Sequence, residues 1–247
     1  MPKIRIRSET HGTVLFEHEA EGNTVKRTLE KAARDAVPLH GAWLARVDLS
    51  EADLSGLDLS RANLTGAMLQ NANLRGARLN DADLSTAHLG NADLSNASMR
   101  NIGLRGAVLA QADLSHADLH RACLHVADLH QAVLVGADMS EADLRYADLS
   151  DTDLSGADLG KADLTRADLS GADLNGARLR DANLSHVSLY KTTLGGVDLA
   201  TTILTGTLFV DTILDETSLG GADLSNARFH HSRPRSRTPK TPSTPDG

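Results

Sequence analysis

The sequence predicts an all-β solenoid, a chain wound in coils around an apolar axis. From residue 44 to residue 229, every residue whose number ends in 4 or 9 is a large apolar side chain. That makes 38 consecutive centres: 34 Leu, with Met99, Met139, Phe209 and Phe229. Two residues before each centre stands a small or β-branched residue, Ala in 27 of the 38, and only Leu57 and Ile102 exceed Val in size. The composition agrees, since 40% of residues are hydrophobic but only 2% aromatic, so any core must be made of Leu and Ala.

A step of five fits neither regular element. In an α-helix five residues turn through about 500°, which would scatter the leucines over every face. In a flat strand an odd step sends successive leucines to opposite faces. Within one unit, however, Ala and Leu are two apart and point to the same side of an extended segment. Keeping every such pair inward requires a corner between units, and repeated turning in one sense builds a coil.

The units themselves, such as Ala52-Asp53-Leu54-Ser55-Gly56, Ala62-Asn63-Leu64-Thr65-Gly66 and Ala167-Asp168-Leu169-Ser170-Gly171, resemble the pentapeptide-repeat family. Its motif is a small residue, Asp or Asn, Leu or Phe, then two variable positions. The resemblance covers residues 42–231 and implies a right-handed four-sided parallel β-helix with four units per coil. On that implication the 38 units make nine and a half coils, a rod about 45 Å long.

Residues 1–41 depart from the repeat. Residues 3–7 alternate with period two and residues 13–17 also read as strand, with the turn-like 8–12 between them, giving a hairpin. Asn23 or Thr24 then caps a helix whose stripe is Val25, Leu29, Ala32, Ala33 and Ala36, stopped by Pro38. An open solenoid end exposes leucines and strand edges, so this segment is expected to cap the first coil. Residues 232–247, rich in Pro, Ser and Thr with four basic groups against one acid, read as a disordered basic tail.

Towards the tail the pattern loosens. The small position carries Val187, Thr192, Val197, Thr202, Thr207, Thr212 and Thr217, and the Asp position carries Ile203, Leu208 and Ile213. Those three are expected to point outward on adjacent sides of one coil. Exposed contiguous apolar surface marks interfaces, so they are a candidate homodimer interface, with local capping by the tail as the alternative.

Charge is divided unevenly. Residues 42–231 hold 14 basic and 26 acidic groups, for −12, while the whole chain is −8. Residues 136–175 hold ten acids against Arg145, Lys161 and Arg166. Eight successive units there carry an aspartate: Asp138, Asp143, Asp148, Asp153, Asp158, Asp163, Asp168 and Asp173. Two coils occupy about 10 Å of axis, a length in which duplex DNA carries about six phosphates. Members of the resembling family bind type II topoisomerases, chiefly DNA gyrase, as DNA mimics, and some protect it from antibiotic poisons. The resemblance therefore implies gyrase or topoisomerase IV as a protein partner, contacted through this acidic belt. Set against that, Asp and Asn at corners commonly bond nearby backbone, and the acidity is then a by-product of folding. The chain lacks the projecting loops that some topoisomerase-protecting members use.

Other functions are disfavoured. A Leu- and Ala-filled interior leaves no concave polar site, so no enzyme, no cofactor and no metal site is expected. His116, His120, His125 and His130 are close in sequence but should radiate from successive sides, whereas zinc needs nitrogens about 2.0–2.1 Å from one point. Cys123, the sole cysteine, excludes an intramolecular disulfide and reads as a tolerated substitution at an Asp position. The recurrent Gly56, Gly76, Gly136, Gly156, Gly176 and Gly196 resemble no phosphate loop and read as corner glycines with positive φ. The N-terminus has no apolar leader and no run of 18 apolar residues occurs. A soluble cytoplasmic protein without membrane contact is expected. An acidic rod would repel phosphate, so the solenoid is not expected to bind nucleic acid directly. The alternative function is a protein–protein scaffold with some other partner.

Overall fold

The computed structural model describes residues 1–214 and 217–232. The expected tail therefore lies outside the described residues from position 233 onward. The N-terminal alternation folds as β1 (Lys3–Arg7) against β2 (Val14–Glu19), antiparallel, with Ile4 opposite His18 and Ile6 opposite Phe16. Of the two capping choices, the chain uses Thr24: its hydroxyl accepts the Arg27 N–H at 3.1 Å, opening α1 (Val25–Arg34). The helix ends sooner than the stripe suggests. Asp35 caps it, and Ala36 already has φ 53°, so Ala36 is outside the helix and Pro38 does not stop it. Leu29 and Ala32 are fully buried.

From residue 42 the five-residue step becomes geometry. The N–H of each centre donates to the carbonyl nineteen residues on, as Leu64 does to Asp83 at 2.8 Å. The N–H before it donates twenty-one residues back, as Asn63 does to Ala42 at 2.9 Å. Parallel pairing thus joins residues twenty apart, for example Asp53 to Asn73 and Asn73 to Asp93. Four five-residue sides make each coil.

At the corners the small residue donates back to the preceding centre, as Ala62 does to Leu59 at 2.9 Å, except at Thr212, whose N–H donates to the Ser232 hydroxyl at 2.8 Å. The second corner residue has left-handed φ, 58° at Arg61 and 65° at Gly56, as a type II turn requires. The corner turns the chain between units, so Ala and Leu both point inward and are buried from Ala42 to Leu214. Each buried Leu contributes about 1.5–3 kcal/mol. Threonines at the small position, which the sequence pattern alone makes look like defects, satisfy their buried hydroxyls: Thr192, Thr207 and Thr212 donate to the carbonyls of Leu169, Leu184 and Leu189 at 2.6–2.8 Å.

The two ends differ. At the first coil Trp43 N–H donates to Arg7 at 2.8 Å, Glu9 N–H to Gly41 at 2.9 Å, and Ser8 pairs with Ala42. The hairpin thus bonds to the first coil, and from α1 the Lys26 ammonium donates to the Ser50 carbonyl at 2.7 Å. At the other end β3 (Leu208–Val210) pairs in parallel with β4 (Arg228–His230), and Phe209 stacks on Phe229 at 4.4 Å. Leu224 and Phe229, which the repeat aims inward, are nevertheless 38% and 42% exposed.

Among the described residues the pairing is interrupted between Arg178 and Asp198, next to the corner residue Asp181. Asp181 N–H donates to the Thr201 hydroxyl at 2.9 Å in place of a backbone carbonyl, beside a shallow cleft of about 540 Å³ lined by Arg178, Arg180, Gly196 and Asp198. Among the described residues no helix is long and apolar enough to cross a membrane.

Candidate functional site

With the interior packed, only the outer surface is available for chemistry. Its side chains are ordered by residue number modulo twenty. The first side carries the column through Asp143 and Asp163, the second that through Asp148 and Asp168, the third Asp153 and Asp173, the fourth Asp138 and Asp158. The eight aspartates are therefore four stacked pairs, one pair per side. They ring the rod and do not share a face.

All eight also serve the fold. The Oδ1 of each accepts the N–H of the residue two ahead at 2.9–3.2 Å. Asn63, Asn73 and Asn183 accept the same bond at 3.0–3.1 Å. The Asp position is thus set by Asx geometry, while the second carboxylate oxygen remains for other contacts.

What distinguishes the sides is where the cations fall. Between residues 77 and 189 there are nine Lys and Arg. Arg78 and Arg178 lie on the fourth side, Arg100, Arg121, Lys161 and Arg180 on the corner between fourth and first, and Arg105, Arg145 and Arg166 on the corner between first and second. None lies on the third side or its two corners. Most acids of the first and fourth sides are accordingly paired: Arg145 with Asp143 at 2.7 Å and Asp163 at 3.8 Å, Arg100 with Asp118 at 3.0 Å, and Arg178 with Asp158 at 3.5 Å, while Asp83 and Asp138 have no ion-pair partner among the described residues. On the third side Asp93, Asp113, Asp153 and Asp173 have no ion-pair partner among the described residues, nor do Asp128, Asp148 and Asp168 on the second.

These pairings show in the acidities. The hydrogen bond from Arg145 holds the Asp143 carboxyl below the usual carboxylate range against its partial burial, and Asp143 in turn raises the pKa of Arg145. Burial pushes Asp58 up, but the Ser60 hydroxyl and amide together with Arg78 outweigh it, so its pKa lies lower than usual.

The histidines each meet a residue on the next coil. His120 and His130 bond the hydroxyls of Ser140 and Ser150 at 2.9 Å, His116 lies over Gly136, and His125 meets the Tyr146 ring edge-on at 5.7 Å. Among the described residues no three His, Cys, Asp or Glu side chains are grouped to hold a metal. Cys123 is half-buried. Gly56, Gly76, Gly136, Gly156, Gly176 and Gly196 all have φ between 63° and 71°. Ile203, Leu208 and Ile213 point outward, 43%, 40% and 49% exposed, on the first, second and third sides. Sequence reasoning by units of five missed the cation-free side; summing charge at every twentieth residue would have found it.

Eight copies of the pentapeptide repeat match this chain, over residues 42–81, 77–101, 104–125, 124–160, 162–200 and 194–230. The chain belongs to the pentapeptide-repeat family. Among solved structures it is similar to HetL, a pentapeptide repeat protein involved in heterocyst differentiation regulation from the cyanobacterium Nostoc sp. strain PCC 7120. The identity is 34%, over 76% of this chain and 89% of that one, with a TM-score of 0.34. It is similar to QnrB1, a plasmid-mediated fluoroquinolone resistance protein, at 17% identity over 78% and 91% of the two chains, TM-score 0.48. Rfr23 from the cyanobacterium Cyanothece 51142 matches at 33% identity over 39% and 63%, TM-score 0.28. No curated protein matches.

Proposed function

We propose that this chain is a non-enzymatic macromolecule-binding rod, a right-handed β-helix of nine and a half coils, that imitates duplex DNA toward a type II topoisomerase. DNA gyrase is the leading partner and topoisomerase IV the other, with the cytoplasm as the place of action. The observation that supports this most is the cation-free third side. From Asp93 to Asp173 is four coil steps, about 19 Å. Within that length the third side, the adjoining corner residue Asp151 and the second side present Asp93, Asp113, Asp151, Asp153, Asp173, Asp128, Asp148 and Asp168. Duplex DNA carries about eleven phosphates in the same length, only some of them facing one way. A straight acidic side of that density suits a basic groove shaped for a duplex. A supercoiling assay with and without the protein tests it: inhibition, or protection from a topoisomerase poison, supports the reading. Absence of both, together with no complex, overturns it.

A second reading is a scaffold whose apolar C-terminal coils join two copies or hold another protein. The exposed Ile203, Leu208 and Ile213, continuing to Leu224 and Phe229 on the last described coil, favour it.

A further inference from the structure

We propose that the corner between the first and second sides carries a second docking surface, a ridge of Val126, Tyr146 and Arg166 that enters an apolar cleft of a folded protein partner. The three stack on successive coils, twenty residues apart, each at the left-handed corner position with φ 53°, 59° and 61°. That backbone conformation suits Gly and Asn and disfavours β-branched and bulky side chains. The corner between the third and fourth sides largely obeys this, with glycine at 56, 76, 136, 156, 176 and 196 and Asn96, His116 being the exception. Among the described residues only Thr86 and Val126 are β-branched with positive φ, and both lie on the one corner that also holds Tyr146. Nearly every corner of the rod imposes this conformation, so what sets the ridge apart is its choice of side chain, β-branched at Val126 and aromatic at Tyr146.

Their surroundings point the same way. Val126 and Tyr146 are 46% and 50% exposed, although nothing in the fold calls for apolar surface there. Arg166 lies over the Tyr146 ring at 5.7 Å and donates to its hydroxyl at 3.4 Å, without an ion-pair partner among the described residues. His125 meets the same ring edge-on at 5.7 Å. Exposed Tyr and Arg set beside each other are the residue types that dominate protein interfaces. From residue 45 to 226 this corner contains no Asp or Glu, so the complementary partner is an apolar cleft with a carboxylate on its rim to meet Arg166. A phosphate backbone is the poorer fit, because Asp148 and Asp168 flank the ridge.

The test places the photoreactive residue p-benzoylphenylalanine, which keeps an aromatic ring, at position 146 of the full chain, with Asn101, on the corner between the fourth and first sides and away from the acidic face, as control. After irradiation in host lysate, one discrete protein adduct is expected at 146 and none at 101. Unlabelled wild-type protein should compete for it about tenfold better than the Val126→Gly/Arg166→Ala variant. No adduct above the control, equal competition by the two proteins, or an adduct removed by nuclease overturns the proposal. So does a lower melting temperature for Val126→Gly alone, since the ridge would then not be strained.

Discussion

Asp153 and Asp173 stand one above the other on the third side, paired across adjacent coils, and each Oδ1 accepts the amide two residues ahead, from Ser155 at 3.0 Å and Asn175 at 2.9 Å. One oxygen of each carboxylate holds the corner and the charge is a separate property. Asparagine supplies the same acceptor, as Asn183 does for Ser185.

It follows that Asp→Asn and Asp→Ala part company at these positions. Asp153→Asn/Asp173→Asn should change unfolding stability by less than about 0.5 kcal/mol, since neutralising two stacked like charges offsets a weaker acceptor. Asp→Ala removes the acceptor and should cost about 1 kcal/mol per site. Denaturant titration separates the two, and equal losses would contradict the Asx role.

The corner glycines should divide by what lies above them. Gly156 has φ 66° and nothing within 4 Å of an added Cβ, whereas at Gly136 that Cβ would sit 2.7 Å from the His116 ring. Gly156→Ala should cost about 1–2 kcal/mol from the left-handed backbone alone. Gly136→Ala should cost more, and His116→Ala should remove the excess in a double-mutant cycle.

Acid should act through the paired aspartates. Asp58 has a folded pKa below its ordinary 3.8, so its stabilising effect is complete above that value and is lost as pH falls through the folded pKa. The melting-temperature loss caused by Arg78→Ala should therefore be full at neutral pH and shrink below pH 3.8. A loss that does not change with pH would show that the ion pair at 2.7 Å is not its cause.

Association through the far end has its own signature. If Ile203, Leu208 and Ile213 join two copies, replacing all three with Asp should halve the mass in light scattering while the circular dichroism stays that of the wild type. A single mass for both proteins ends the dimer reading.

The fold was legible because one physical rule repeats. Each Ala–Leu pair must face inward, and only a corner every five residues allows it. The end of α1 was not legible, since Ala36 continues the apolar stripe and only its φ of 53° shows that the chain has already turned. The threonines read as loosening because a sequence does not show which carbonyl lies 23 residues back to receive a hydroxyl. The aspartates were visible as residues but not as surfaces. A run such as Asp138, Asp143, Asp148 and Asp153 is continuous in sequence and divided among four sides in space. Arg145, two residues on, neutralises Asp143, but only the twenty-residue pairing shows that no cation from a neighbouring coil reaches the column of Asp153 and Asp173.

That distinction gives the most direct measurement. Gyrase supercoiling would be titrated with wild-type protein and with two variants of equal charge change. One is Asp148→Asn/Asp153→Asn/Asp168→Asn/Asp173→Asn on the second and third sides. The other is Asp138→Asn/Asp143→Asn/Asp158→Asn/Asp163→Asn on the fourth and first. Wild type and the second variant should act on the enzyme at similar concentrations, and the first variant should need at least about tenfold more. Equal potency of the two variants, or no effect from any of the three proteins, would contradict a side-specific imitation of DNA.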